Sequence, residues 1–528
     1  MRRRALLSAA AAASLARSAL GGPARAVAAK TLTFVPQANL NSIDPVWNAA
    51  MVTRNMSAMV YETLYGRDEF MQARPQMVES DQMEDGGRRW TLRLREGLRF
   101  HDGEKVLARD CTASLRRWAR RDPGGTSLFT RMDALETPDD RTIVFRLNKP
   151  FPHLRKLLSR FNTPAVIMPE RLAQTDPFKQ VPEAIGSGPF RWLANEQVIG
   201  SHAAFARNDA YVPRDERPSY MAGGRRVLVD RVEWKMIPDA STAANALVTG
   251  EVDWVEIPLP DLLPMLRRAA GVQTGLLDPY GSMASVRLNH LHAPTNTLGV
   301  RRAMLAAIDQ QEVMTAIFGA DTSLWFAPIG FFNSGNAAVD GVGMEAVRNR
   351  PSNAQARAML KEAGYNNEPV VLLHATDHNL YNPAGTVVGD AFRAIGLNVV
   401  DQSMDWGTVM QRRVSKESPD KGGWSAFATA APAAEYLDPL LATFLRASGT
   451  EAFYGWPTDP GIEALFAEWL DTADEAAQTR LQQAWQQRAF DMVLHVPLGR
   501  YVLPSAWRSN ISGLLRGPAV VFWNVEKA

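Results

Sequence analysis

A single cysteine, Cys111, stands in 528 residues, so no internal disulfide can form and stability has to come from packing. Beyond residue 29 there is no sustained Lys/Arg run, which removes the clustered cationic surface that nucleic acid or an anionic membrane requires. Catalytic signatures are missing as well: there is no Gly-x-Ser-x-Gly elbow, no His-Glu-x-x-His, and no phosphate loop ending in Gly-Lys-Ser/Thr. Ser418-Pro419-Asp420-Lys421 fits Ser-x-x-Lys, but Pro419, Gly422 and Gly423 make it a loop and its partner motifs are absent. Cys111 itself falls on an apolar helical face and reads as packing. Beyond residue 29, repeats, heptads and low-complexity tracts are also lacking.

What is present begins with residues 1–29, which carry five arginines and no acid, as a charged head, an apolar middle and a small-residue tail. This is the layout of an export signal, predicted over 1–28 with cleavage after Ala28. Arg3-Arg4 before Ala5-Leu6-Leu7 is similar to a twin-arginine signal. The uncharged run 5–16 has 12 residues, short of the roughly 20 a membrane-spanning helix needs. Taking five positive charges from a net +2 leaves −3, and about 500 residues with 46% apolar content can fill two to four domains. The expected product is an exported, periplasmic, multilobed monomer without cofactor or nucleic-acid partner.

Residues Thr31 to Val35 read as a strand, and Trp90, Leu92, Leu94 and Ile143, Phe145, Leu147 alternate as strands do. A further alternating stretch covers 225–236. In the second half Val300, Met304, Ile308, Met314, Ile317 and Phe318 are spaced for one helical face. Ser352 and Gln355 form a capping box, opening a helix that Gly364 closes. A strand at 370–374, a helix at 383–395 and a strand at 397–400 make a parallel βαβ unit.

Eight segments in order resemble the peptide/nickel extracytoplasmic solute-binding family, which includes dipeptide- and oligopeptide-binding proteins. They are Ile43-Asp44-Pro45; Val60-Tyr61-Glu62-Thr63-Leu64; Trp90-Thr91-Leu92-Arg93-Leu94 leading to Phe100-His101-Asp102-Gly103; Gly186-Ser187-Gly188-Pro189-Phe190; Gly250-Glu251-Val252-Asp253; Leu288-Asn289 with Val300-Arg301-Arg302-Ala303; Ala363-Gly364-Tyr365; and Gly423-Trp424. The resemblance implies an α/β, two-lobed periplasmic-binding-protein fold of type II, in the large peptide-binding subclass, with a hinge and a ligand cleft between lobes. It places lobe one at 29–277, lobe two at 278–495, and a C-terminal return to lobe one at 496–528. It also implies an ABC importer: ligand capture by lobe closure and docking on permease subunits of the inner membrane, with no bond made or broken.

Two ligand anchors of that family have no counterpart here. Dipeptide-binding members follow Gly-Trp with Thr-Gly-Asp, whose Asp holds the ligand ammonium, whereas Gly423-Trp424 leads to Ser425-Ala426-Phe427. Those members place an Arg for the carboxylate before Pro-Tyr-Asn-Pro, whereas Asn379 precedes Leu380-Tyr381-Asn382-Pro383. The ligand is therefore read as a peptide-like solute not held by its two ends alone, with Asp405, Arg412, Glu435 and Asp438 as neighbouring charges. Candidate contacts are Asn39, Asn379, Tyr381, Trp406, Arg412, Trp424, Phe427 and Tyr436, with Tyr454 and Trp456 as further rings. The aromatic residues equally fit an ordinary core, and Arg412 with Arg413, like Arg225 with Arg226, fits a solvated surface. His290 with His292, and His374 with His378, are the pairs to weigh for a nickel or metallophore carrier, but neither has a convincing carboxylate or thiolate set nearby in sequence. A secreted hydrolase is the remaining alternative.

Overall fold

The computed structural model describes residues 30–528; the leader and its cleavage site lie outside the described residues. Two sheets anchor the molecule, each at the centre of one lobe. The first has seven strands, in the spatial order Phe190–Trp192, His202–Arg207, Arg231–Lys235, Thr31–Val35, Trp254–Val255, Ser505–Arg508 and Val272–Gly275. Its central strand is β-branched and aromatic in sequence. Phe34 packs against Trp234, Trp254 and Phe522 at ring separations of 5.5, 5.1 and 5.0 Å, so the C-terminal segment seals the core of the N-terminal lobe. A four-stranded antiparallel sheet, whose inner strands are Arg89–Leu94 and Thr142–Leu147, extends this lobe.

The second sheet has six strands, ordered Trp325–Phe326, Val496–Tyr501, Ser282–Leu288, Ala426–Pro432, Pro369–Ala375 and Asn398–Met404. The βαβ unit is present, with Pro369–Ala375 and Asn398–Met404 parallel and the helix Tyr381–Ala394 between them. Ser352 caps its helix as the sequence predicts, with both arms of the capping box made.

The chain crosses between the sheets twice, through 276–281 and 502–504. These connectors run side by side, because Gly275 pairs with Ser505 at one end and Ser282 with Tyr501 at the other. Gly281 is at φ +69°, and a Cβ there would lie 1.9 Å from the Tyr501 carbonyl oxygen, so only glycine allows the two to approach this closely. The strand Val496–Tyr501, which the sequence reading assigns to the C-terminal return, belongs to the second lobe's sheet; the crossing back follows Tyr501.

Two other expectations change. The single helical face over 300–318 is broken into Leu298–Ala307 and Gln310–Phe318, because the Asp309 carboxylate accepts from the amides of Gln311 and Glu312 and starts a new helix. Within 225–236 only Arg231–Lys235 pairs as a strand. Arg225 is buried: its guanidinium lies 4.7 Å from the Trp523 ring centre and donates to the Met221 carbonyl, which fastens this stretch to the C-terminal segment.

Several of the family-like motifs are scaffold. Asp44 and Arg117 form a buried bidentate pair (3.1 and 2.7 Å), and Asp44 also accepts from the amides of Val46 and Val181. Glu62 gathers Arg95 and the Tyr211 hydroxyl. Gly186 passes so close to Val60 that a Cβ would lie 2.1 Å from its carbonyl oxygen, and His101 Nε2 bonds the Gly188 carbonyl at 3.0 Å. Distant motifs thus converge on one another inside the first lobe.

Candidate ligand-binding cleft

In the first lobe the parallel strands Thr31–Val35, Arg231–Lys235 and Trp254–Val255 end on the side where the connectors leave. In the second lobe Pro369–Ala375, Asn398–Met404 and Ala426–Pro432 are mutually parallel and end on the same side, with Pro432 opposite Ser282. The carboxyl edges of both sheets therefore face the hinge, the place where open α/β sheets take ligands.

A cavity of about 550 Å³ opens between the lobes beside the hinge. Arg67 and Lys156 reach it from the first lobe, Tyr280 from the connector, and Asn333, Asp438 and Arg500 from the second. Its size falls within the few hundred to one thousand Å³ usual for small-molecule sites. A second, smaller cavity of about 80 Å³ lies at the hinge and is lined by Glu256 and Asp278.

The lobes touch around this space. Arg54, on the helix Met51–Val60, pairs with Glu435 just beyond the strand Ala426–Pro432 at 3.7 Å. The His153 ring stacks on Trp469 at 4.0 Å and bonds its carbonyl at 3.0 Å, and Arg131 pairs with Asp471. Closure thus buries charge as well as apolar surface.

Burial dominates the electrostatics here. It pushes the Arg54 guanidinium below its ordinary range against the opposing pull of Glu435, and it raises Glu435 against the pull of Arg54. Glu256 accepts from the Gln37 amide (2.8 Å) and Asn55 Nδ2 (2.7 Å), yet burial outweighs both and pushes its carboxyl up to about 7. Asp278 is pushed up to about 6 by the same cause. An acid with a folded value above its unfolded 4.5 holds an extra proton when native, so stability falls as pH rises from about 4.5 to about 7 and the loss is complete above that window. Glu256→Gln, neutral at every pH, should flatten this fall: urea midpoints at pH 5 and pH 8 should differ less in the variant than in the parent. An unchanged difference would contradict the placement of Glu256.

The sequence-derived candidates divide into groups. Trp424 and Phe427 are wholly buried and pack with Trp456 against one face of the second sheet, as core of that lobe. Tyr436 is also buried, its ring beside Phe444. Tyr381 and Trp406 are half-buried at the carboxyl edge, 4.5 Å apart, with His378 stacked on Tyr381. Asn39 and Asn379 are exposed in loops at the carboxyl edges of the first and second sheets. Arg412 donates to the carbonyls of Gly422 and Gly423 within its own lobe, and Arg413 stacks on Tyr454 at 4.4 Å rather than standing in solvent.

None of the eight candidates lines either interlobe cavity. Of the neighbouring charges, Asp405 caps the helix Trp406–Arg412, whereas Glu435 and Asp438 lie at the interlobe face. Sequence reasoning missed Arg54, Arg67, Glu256, Asp278 and Trp469. The findable signal was strand direction, since Gly423-Trp424 precedes the strand Ala426–Pro432 and the cleft lies at its other end.

The histidine pairs are committed elsewhere. His290 and His292 lie beyond the strand end and bond the carbonyls of Leu494 and Lys416, and His374 pairs with Asp401 at 3.0 Å. Among the described residues no group of three His, Cys, Asp or Glu side chains is placed to hold a metal ion.

Comparison with known proteins places this architecture. The model of bacterial extracellular solute-binding proteins, family 5, matches residues 72–445. A probable peptide ABC transporter periplasmic-binding protein of Sinorhizobium fredii, y4tO, is 37% identical over 512 residues, 95% of this chain and 94% of that one. Among solved structures, AgaA of A. tumefaciens in complex with agropinic acid superposes with a TM-score of 0.77 at 20% identity, covering 94% of this chain and 99% of its own. A Pseudoalteromonas dipeptide-binding protein with Met-Leu gives 0.76 at 18% identity, covering 94% and 100%. With a two-lobed fold, a doubly crossed hinge and a charged cavity between the lobes, this chain belongs to the bacterial extracellular solute-binding proteins of family 5.

Proposed function

We propose that this chain is the substrate-binding component of an ABC importer, exported to the periplasm, where it takes a peptide or peptide-like organic solute between its lobes. The observation that carries the reading is the cavity of about 550 Å³ walled by both lobes and the hinge, with cations, acids and amides around it. Such a wall suits a solute with several polar groups, each of which needs a partner once water is excluded. The relative from Sinorhizobium fredii supports the peptide class.

Function follows from closure. Arg54 with Glu435, and His153 with Trp469, are contacts that exist only when the lobes are together. A solute that touches both walls adds its own contacts to that state and raises its population; the closed form then docks on the permease. No helix among the described residues is long and apolar enough to cross a membrane.

The test is a thermal melt of the mature chain with a pooled dipeptide and tripeptide library, joined to native mass spectrometry. A solute at 100 times its Kd stabilises by about 2.7 kcal/mol and leaves with its mass unchanged. Turnover of the pool would favour a hydrolase. A shift that vanishes with chelator would favour a metal carrier.

A further inference from the structure

A small cavity of about 20 Å³ lies inside the first lobe, apart from both interlobe cavities. Three arginines line it, Arg54 from the helix Met51–Val60, Arg160, and Arg225 ahead of the strand Arg231–Lys235, and no carboxylate does. The space admits an occupant about the size of a single water and excludes a carboxylate or phosphate group.

The three guanidinium groups are not equally committed. Arg160 donates to Asp122 at 3.1 Å and to Asn162 at 3.2 Å. Arg225 is 3% exposed and makes no ion pair among the described residues: its Nη2 donates to the Met221 carbonyl at 2.8 Å, the Trp523 ring lies beside it, and its Nε has no partner. Arg54, 8% exposed, also has an Nε without a partner, and its Nη1 stands 3.7 Å from Glu435, beyond hydrogen-bond reach. Hydroxyls on the wall leave these donors unmet. Those of Ser57, Thr63 and Ser159 donate to the backbone carbonyls of Arg54 (2.8 Å), Tyr65 (2.7 Å) and Lys156 (3.0 Å). A carbonyl and an aromatic face orient a guanidinium without neutralising it, and a buried donor left unmade is costly.

We infer that this cavity is a structural site for a small monovalent anion of chloride size, held by the Nε–H groups of Arg54 and Arg225. Water would meet the two donors; an anion meets them and also balances the charge of Arg225. The ion ties the helix Met51–Val60 to the 221–225 stretch, which Arg225 fastens to the C-terminal segment through Trp523. It thereby braces the wall from which Arg54 reaches Glu435. Every residue around the cavity belongs to the first lobe, so the assignment is independent of what the interlobe cavity takes.

The experiment melts the wild-type mature chain, without peptide, across a chloride series in which gluconate holds the ionic strength constant. Binding to the native state alone should raise the melting temperature by about 2 °C between chloride-free and saturating buffer. Arg225→Met should lose this dependence, which also sets the baseline for general salt effects, and Arg225→Lys should keep part of it. Crystals of the wild type grown in bromide should show an anomalous peak between Arg54 and Arg225, a readout that stands even if a variant folds poorly. A wild-type melt indifferent to chloride overturns the assignment, as does a bromide map empty at that position or an Arg225→Met chain with the parental dependence. None of these results bears on solute capture, which the peptide melts test separately.

Discussion

Replacing Arg54 by methionine should destabilise the protein by about 3–5 kcal/mol, the usual cost of stripping one partner from a buried ion pair. Arg54 and Glu435 have side chains only 10% and 8% exposed and meet at 3.7 Å across the lobe boundary. The variant leaves Glu435 without its cation, with Glu256 and Asp278 in the same neighbourhood. Arg160, the other cation acting on Glu435, is already committed to Asp122 at 3.1 Å. Urea unfolding gives the size of the loss. Small-angle scattering should show a larger radius of gyration, since the removed contact belongs to the closed state. A second change, Glu435→Leu, should recover much of the stability, because a buried pair replaced whole by apolar side chains is often neutral. An Arg54→Met chain as stable and compact as the parent would remove the pair from the account of closure.

Trp424→Ala should cost a similar amount, about 3–5 kcal/mol, for a different reason. The indole is wholly buried, 4.9 Å from Phe427 and 5.6 Å from Trp456, and its Nε1 makes no hydrogen bond. Truncation therefore loses dispersion and opens a cavity without breaking a polar contact. Solute affinity, measured by titration well below the melting range, should change little. A Trp424→Ala chain with parental stability and no binding would return Trp424 to the ligand site and contradict its place in the core.

These two residues mark where sequence reasoning held and where it stopped. The Gly423-Trp424 pair invites a match to a ligand anchor, but a dipeptide motif does not say which end of a strand meets the cleft. Here the strand Ala426–Pro432 runs from that pair toward the hinge, so the charge that reaches the other lobe is Glu435, beyond its far end. Glu435 and Asp438 were legible as nearby charges. The partner of Glu435 was not, because Arg54 lies near the opposite end of the chain and nothing local singles it out.

The βαβ unit, the capping box at Ser352 and the strand Arg89–Leu94 follow from spacing and turn chemistry, which act over a few residues and are therefore written in the sequence. So is the family resemblance, whose motifs are mostly scaffold contacts such as Asp44 with Arg117. The cleft is another matter: a helix near the start of the chain, the two connectors and a turn after residue 432 come together only when both lobes are folded and closed. Burial there decides which charges pair and which acids keep a proton, and burial is a property of the assembled volume rather than of any local run of residues.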